Sequence, residues 1–256
     1  AAGRRVRLPR PAFRLARPWL VSVPDSPPGS RMPLILHLHP LSSYCHKVLM
    51  ALYENGTPFE PRMVNLGDPD ARAAYLKLSP FGKIPVLQDE SRDATVIETT
   101  TILDYLQQYY PGRVTLIPHD PDTAREVRLW DRIFDLYIHQ PMQRVVADTL
   151  RPEGKRDAQT VEEARATLRT AFDLVEKRLG EMPHPGGATF SIADCAAASP
   201  LFYAQAIEPF ATTHPRLARY FEGLLQRPSY ARVLAEAKPF MKYFPLADRL
   251  PARFTA

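Results

Sequence analysis

The periodicity of the chain changes once, at Pro111-Gly112, and that change constrains the fold more than any other feature of its 256 residues. Before it, short apolar runs alternate with amphipathic stretches; after it, every regular segment has the period of a helix. From Pro33 to His39 the run reads as a short buried strand, with Leu34, Leu36 and Leu38 on one side and Ile35, His37 and His39 on the other. Ser42-Ser43-Tyr44-Cys45 leads into a helical stretch from Lys47 to Tyr53, whose Val48, Ala51 and Leu52 share a face, and Asn55-Gly56 ends it. A second strand is expected over Phe59 to Val64, a short helix over Asp70 to Lys77, and strands over Ile84 to Gln88 and Ala94 to Ile97 around the turn Asp89 to Asp93. A helix from Thr99 to Tyr110 follows, with Ile102, Leu103, Leu106 and Tyr109 as its core stripe. This order predicts an α/β domain with one mixed sheet over residues 32–112. In such sheets ligands bind at the end of the first strand, where the helix begins.

Beyond the linker with Pro118 and Pro121, helices are predicted over Thr123 to Leu150, Thr160 to Leu179, Ile192 to Ala206, Pro215 to Gln226 and Tyr230 to Ala237. Residues 121–246 therefore read as an all-α domain, and no internal repeat is present. The fold class is α/β followed by all-α.

Net charge could mislead. Of 33 bases and 28 acids, seven arginines and one aspartate fall in residues 1–31, leaving 26 bases against 27 acids for the rest. The body of the protein thus gives no electrostatic reason to expect nucleic acid. The same 31 residues hold six prolines and end in Pro-Pro-Gly-Ser-Arg, which predicts a disordered basic arm. Arg-rich N-termini also occur in organelle transit peptides, but proline spacing here breaks the amphipathic helix such peptides form. Met32 opens the first regular segment, which leaves open a native start there. With 45% apolar and 24% charged residues the composition is that of a soluble globular protein. No apolar run exceeds about six residues, far below the ~18 of a membrane span. Two cysteines, Cys45 and Cys195, exclude a disulfide framework and point to a reducing compartment.

Three short constellations carry chemistry. Ser42-Ser43-Tyr44-Cys45 lies at the strand-to-helix turn, where free backbone N–H groups and the positive end of the helix dipole converge. Such a place stabilises a thiolate; Ser42 occupies the first position of what would be a Cys-x-x-Cys motif, and Cys45 the second. A serine hydroxyl can donate to a thiolate supplied by a ligand, or it can simply cap the helix. Phe81-Gly82-Lys83-Ile84-Pro85 precedes a strand; a cis Ile84-Pro85 bond would leave the Ile84 backbone free for an extended peptide-like ligand, and a trans proline at a strand start is the plain alternative. Glu98-Thr99-Thr100-Thr101 opens a helix whose amides suit a carboxylate while Glu98 suits an ammonium group, or merely complements the dipole.

Ser191-Ile192-Ala193-Asp194 is a capping box flanked by Phe190 and Cys195, and Cys195 reads as core. His37 and His39 share a strand face, but no third ligand follows, so they read as packed or hydrogen-bonded histidines and not as metal ligands. His46 is expected on a helix surface. There is no Walker loop and no dinucleotide glycine fingerprint.

Taken in order and spacing, these stretches resemble the cytosolic glutathione transferases across Met32 to Pro245. The resemblance rests on Ser42 to Val48, Leu78 to Leu87, Glu98 to Tyr105, Ser191 to Asp194 and Arg227 to Val233. It is to serine-type, bacterial-like members. It implies a thioredoxin-like N-terminal domain, a helical C-terminal domain, a cytoplasmic homodimer, and glutathione as co-substrate in detoxification. It implies further that Ser42, or Ser43 one residue on, hydrogen-bonds the glutathione thiolate. Ile84 beside a cis Pro85 would pair with the cysteinyl backbone, Glu98 and Thr99 would hold the γ-glutamyl end, and Lys83 the glycyl carboxylate. The activity implied is conjugation to a small hydrophobic electrophile, in a cleft offered by Trp130, Phe134, Tyr137 and Met142. Neither nucleic acid nor membrane is an expected partner, and no metal is. Rival readings are maleylacetoacetate-type isomerisation, disfavoured because Tyr44 separates the serines from Cys45, a glutathione-dependent thiol oxidoreductase using Cys45, and a transferase-like binding module.

Overall fold

Five apolar or ring-bearing residues with every side chain buried make Leu34–Leu38 the central strand, β1, because such a run needs cover on both faces. The computed structural model describes residues 33–254. The expected basic arm at 1–31 lies outside the described residues. Strand β2 (Glu60–Met63) pairs parallel to β1, while β3 (Val86–Asp89) pairs antiparallel to it and β4 (Ala94–Val96) antiparallel to β3. The sheet order is β2-β1-β3-β4, which is mixed as expected.

Helix α1 (Ser43–Asn55) starts at Ser42 and stops at Gly56, whose φ of 61° is the left-handed conformation that a glycine C-cap supplies. It packs with α3 (Thr99–Tyr109) over the sheet face formed by Leu34, Leu36, Leu38 and Leu87. The other face is covered by α2 (Pro69–Tyr75), where Tyr75 meets Val64 and Val86. Tyr109 departs from the expected core stripe of α3. It is 38% exposed, with the Arg92 guanidinium 3.8 Å above its ring.

The second half is helical: α4 (Pro121–Ile133), α5 (Gln140–Thr149), α6 (Ala158–Arg178), α7 (Ile192–Ala204), α8 (Pro215–Gln226) and α9 (Pro228–Ala237). The helix expected over 123–150 contains one π-helical segment, Phe134–His139, between α4 and α5. Every residue of α7 is buried, and its N-terminus carries the predicted capping box, with Ser191 and Asp194 each bonded to the other's backbone. Short 3₁₀ turns at Lys238–Tyr243, Ala247–Arg249 and Ala252–Phe254 follow α9. Helix α1 packs on α7 and α9, so the first helix of the sheet half is also a core helix of the second.

That double cover explains why His46 is fully buried, against the surface position expected for it. Its ring lies near Tyr203 and Tyr230, and its Nε2 bonds the Pro40 carbonyl at 2.6 Å. Burial lowers its pKa to about 4, so the ring is neutral and donates to that carbonyl.

Candidate active site

The turn after β1 sets the geometry. Ser42 N–H donates to the His39 carbonyl at 2.9 Å, and Ser42 then caps α1, its Oγ accepting from Cys45 N–H at 3.4 Å. A hydroxyl that accepts still has its own proton to donate, so the capping and thiolate-donor readings of Ser42 are compatible. Ser43 points elsewhere. It is buried, its Oγ accepts from Gln143 Nε2 at 2.8 Å, and it shares a 2.6 Å hydrogen bond with His139 Nε2. The two serines, equivalent by sequence, thus face different surroundings.

Ser42 borders two recesses. One, of about 360 Å³, is bounded by His39, Val64, Leu66, Gly67 and Ile84. The other, of about 170 Å³, lies against the helical half and is bounded by Ser43, Met142, Gln143, Val146, Tyr203 and Phe244, with Pro245 at its edge. Leu41 and Ser42 line both.

Of the remaining predicted residues, Ile84 lines the first recess. The Ile84-Pro85 bond is cis. Pairing of β3 with β1 begins at Val86, which leaves the Ile84 backbone outside the ladder. The Lys83 carbonyl accepts from Tyr75 Oη at 2.7 Å and Ser79 Oγ at 3.0 Å, which fixes the loop while the side chain stays exposed. Glu98 has a φ of 67°, an outlier for a residue with a Cβ, and its exposed side chain makes no capping bond to α3. Such backbone strain concentrates at ligand-binding positions. Thr99 opens α3 and is buried. Lys83, Glu98 and Thr99 do not line the first recess. Glu98 does lie close enough to Tyr44 for its carboxylate, after burial and Asp135, to help push the Tyr44 hydroxyl up to about 12.

Cys45 is fully buried, and burial pushes its thiol up to about 12. It offers no thiolate at neutral pH. His37 bonds Gln88 at 2.6 Å, and the His39 ring accepts from Leu41 N–H at 3.2 Å.

The four residues expected to line an electrophile cleft are not brought together. Trp130 and Phe134 are core residues, and Tyr137 is 53% exposed. Of the four, Met142 borders the second recess. The other walls come from α5, α7 and the turns after α9, segments whose helical or proline-rich patterns carry no sign of a shared site. Lys47 also escaped sequence reasoning. Its Nζ lies 2.6 Å from Asp131 Oδ1 and 2.8 Å from Asp135 Oδ2 and donates to Thr100 Oγ1 at 3.2 Å, joining α1 and α3 to α4 and the π segment. Arg132 also pairs with Asp135. The signal available was Asp131 and Asp135, one helical turn apart on an otherwise apolar face.

Comparison with known proteins agrees with this layout. Residues 36–114 match the glutathione S-transferase N-terminal domain and residues 158–223 the glutathione S-transferase C-terminal domain, together more than half of the chain. The chain is 29% identical over 211 residues to glutathione S-transferase F13 of Arabidopsis thaliana, covering 79% of this chain and 95% of that protein. It is also 29% identical over 217 residues to a glutathione S-transferase of Pseudomonas putida, covering 82% and 96%. A glutathione S-transferase from Methylobacillus flagellatus, solved with glutathione bound, superposes with a TM-score of 0.72 at 25% identity, covering 78% of this chain and 98% of that one. The sheet order, the strand-to-helix serine turn, the helical half and these likenesses agree: the chain belongs to the cytosolic glutathione transferase family.

Proposed function

We propose that this enzyme conjugates the thiolate of glutathione, its co-substrate, to small hydrophobic electrophiles, with Ser42 as the thiolate's hydrogen-bond donor. The observation that carries the reading is the position of Ser42 between the two recesses. The first recess, beside the unpaired Ile84 backbone, suits an extended tripeptide. The second, walled by Met142, Val146, Tyr203 and Phe244, suits an apolar partner. A thiol held at their junction meets both. Glutathione supplies the nucleophile, and the protein's part is to hold its sulfur deprotonated and aimed. Lowering that thiol by about two pKa units takes about 2.7 kcal/mol of preferential thiolate stabilisation, within reach of one hydroxyl donor plus the amides and dipole at the start of α1.

Ile84 beside Pro85 would pair with the cysteinyl backbone, Glu98 and Thr99 would hold the γ-glutamyl end, and Lys83 the glycyl carboxylate. Ser43, tied to His139 and Gln143, is the weaker candidate for the thiolate. The buried thiol of Cys45 argues against the oxidoreductase reading. A homodimer is supported by Phe81, which is 73% exposed beside the Gly82 turn, and by the exposed Leu129 and Leu136 along α4 and the π segment. Work in the cytoplasm is supported by two free buried cysteines, and a part in detoxification by the transferase activity of the family; among the described residues no helix is long and apolar enough to cross a membrane.

The test is titration with glutathione followed by turnover on a panel of electrophiles. Tight glutathione binding with no turnover on any electrophile would leave a binding module in place of the transferase.

A further inference from the structure

The Ser42 turn is held from the helical half on both sides of Ser42. On one side, Tyr203 Oη in α7 donates to the Leu41 carbonyl at 2.9 Å. On the other, His139 at the end of the π segment bonds Ser43 Oγ at 2.6 Å and stacks on the Tyr44 ring at 3.7 Å, while Gln143 donates to the same Oγ at 2.8 Å. Tyr203 and His139 are both buried and reach across 162 and 96 residues of sequence to residues adjacent to Ser42. Burial holds the His139 pKa well below its usual value, so its ring is neutral and can accept the Ser43 proton while Ser43 accepts from Gln143. Ser42 itself is bonded within its own turn, through His39 and Cys45. The direction of its free proton is therefore set by how its two neighbours are fixed.

We propose that Tyr203 and His139 are positioning residues that hold the Ser42 hydroxyl on the glutathione sulfur, so that the helical half sets the acidity of a thiol bound by the sheet half. The proposal rests on Ser42 as the thiolate donor. A preorganised donor is worth more than a mobile one because no reorganisation is needed when charge develops on the acceptor. Loosening either attachment should weaken thiolate stabilisation while leaving the contacts that bind the rest of the tripeptide in place.

The test is a pH titration of the thiolate absorbance of bound glutathione, with kcat and KM, in the full chain and in Ser42→Ala, Tyr203→Phe, His139→Leu and His139→Gln. Tyr203→Phe removes one hydroxyl and keeps a ring packed against Phe202, Phe244 and His46, so it tests the attachment without opening the core. Tyr203→Phe and His139→Leu should each raise the bound-thiol pKa by roughly half to one unit and lower kcat several-fold, with KM for glutathione within about twofold. His139→Gln, which keeps a partner for Ser43, should recover most of the shift. A raised pKa in Ser42→Ala beside an unmoved one in Tyr203→Phe and His139→Leu overturns the positioning role alone. An unmoved pKa in Ser42→Ala overturns the donor reading and the proposal with it.

Discussion

Lys47 Nζ lies 2.6 Å from Asp131 Oδ1, with 2% and 0% of the two side chains exposed, and this ion pair joins the first helix of the sheet half to the first helix of the helical half. Asp135 shares the same ammonium at 2.8 Å, and burial holds its carboxyl above the ordinary range even beside that cation. Two carboxylates around one buried lysine are stable only while the lysine is present.

Lys47→Met should therefore destabilise the fold by about 3–5 kcal/mol, because it leaves Asp131 and Asp135 facing each other without their buried counter-charge. Urea unfolding at neutral pH reads this directly. A loss below about 1 kcal/mol would mean that Arg132, half exposed at the edge of the cluster, compensates alone.

Ser42→Ala should lower turnover at neutral pH by one to two orders of magnitude and raise the pKa of bound glutathione by roughly one to two units, as expected for the loss of one charge-assisted donor. Turnover should recover at alkaline pH, where the thiolate forms unaided. A pH-rate profile that matches the parent removes Ser42 from the mechanism.

Stability should fall on acidification below pH 6.5. Folded His46 stays neutral down to about pH 4, whereas an unfolded histidine takes up its proton near 6.5, so between those values the unfolded chain binds more protons. Stability present at pH 7 is thus lost as pH falls from 6.5 toward 4, on the order of 3 kcal/mol from this residue. Protonation would occur at Nδ1, which has no hydrogen-bond partner, so nothing offsets the new charge. Buried His139 acts in the same direction. Denaturation midpoints measured from pH 7.5 to 4.5 should decline in the parent and decline less in His46→Gln; parallel curves would assign the acid lability elsewhere.

Native Cys45 should resist alkylation at pH 7.5 until the protein unfolds, since its thiol is fully buried and its pKa stands near 12. Cys45→Ala should keep turnover within about threefold of the parent. Mass spectrometry after iodoacetamide checks the first expectation, and rapid labelling of the folded protein would reopen the thiol oxidoreductase reading.

Local chemistry was legible where one stretch of chain contains all of its causes. The Gly56 stop, the Ser191 to Asp194 capping box and the buried run of β1 depend on neighbours within a few residues, and each sits where the sequence pattern puts it. The residues that border the two recesses were legible in part for the same reason. Ser42 and Ile84 lie at strand and helix ends that turn chemistry announces and Met142 was expected at a cleft, whereas Tyr203 and Phe244 share the wall of the second recess with nothing local to mark it. His46 misled because a polar ring on a helix implies water, and here a second layer of helices covers it.

By itself the sequence determined that a mixed sheet precedes an all-helical half and that a serine-bearing turn opens the first helix, because strand and helix periods and capping residues act over a few positions. Only the tertiary structure separates the surroundings of Ser42 from those of Ser43. Adjacent residues at a helix start point in different directions, and which one borders both recesses and which is tied to His139 and Gln143 depends on helices packed from about a hundred residues away.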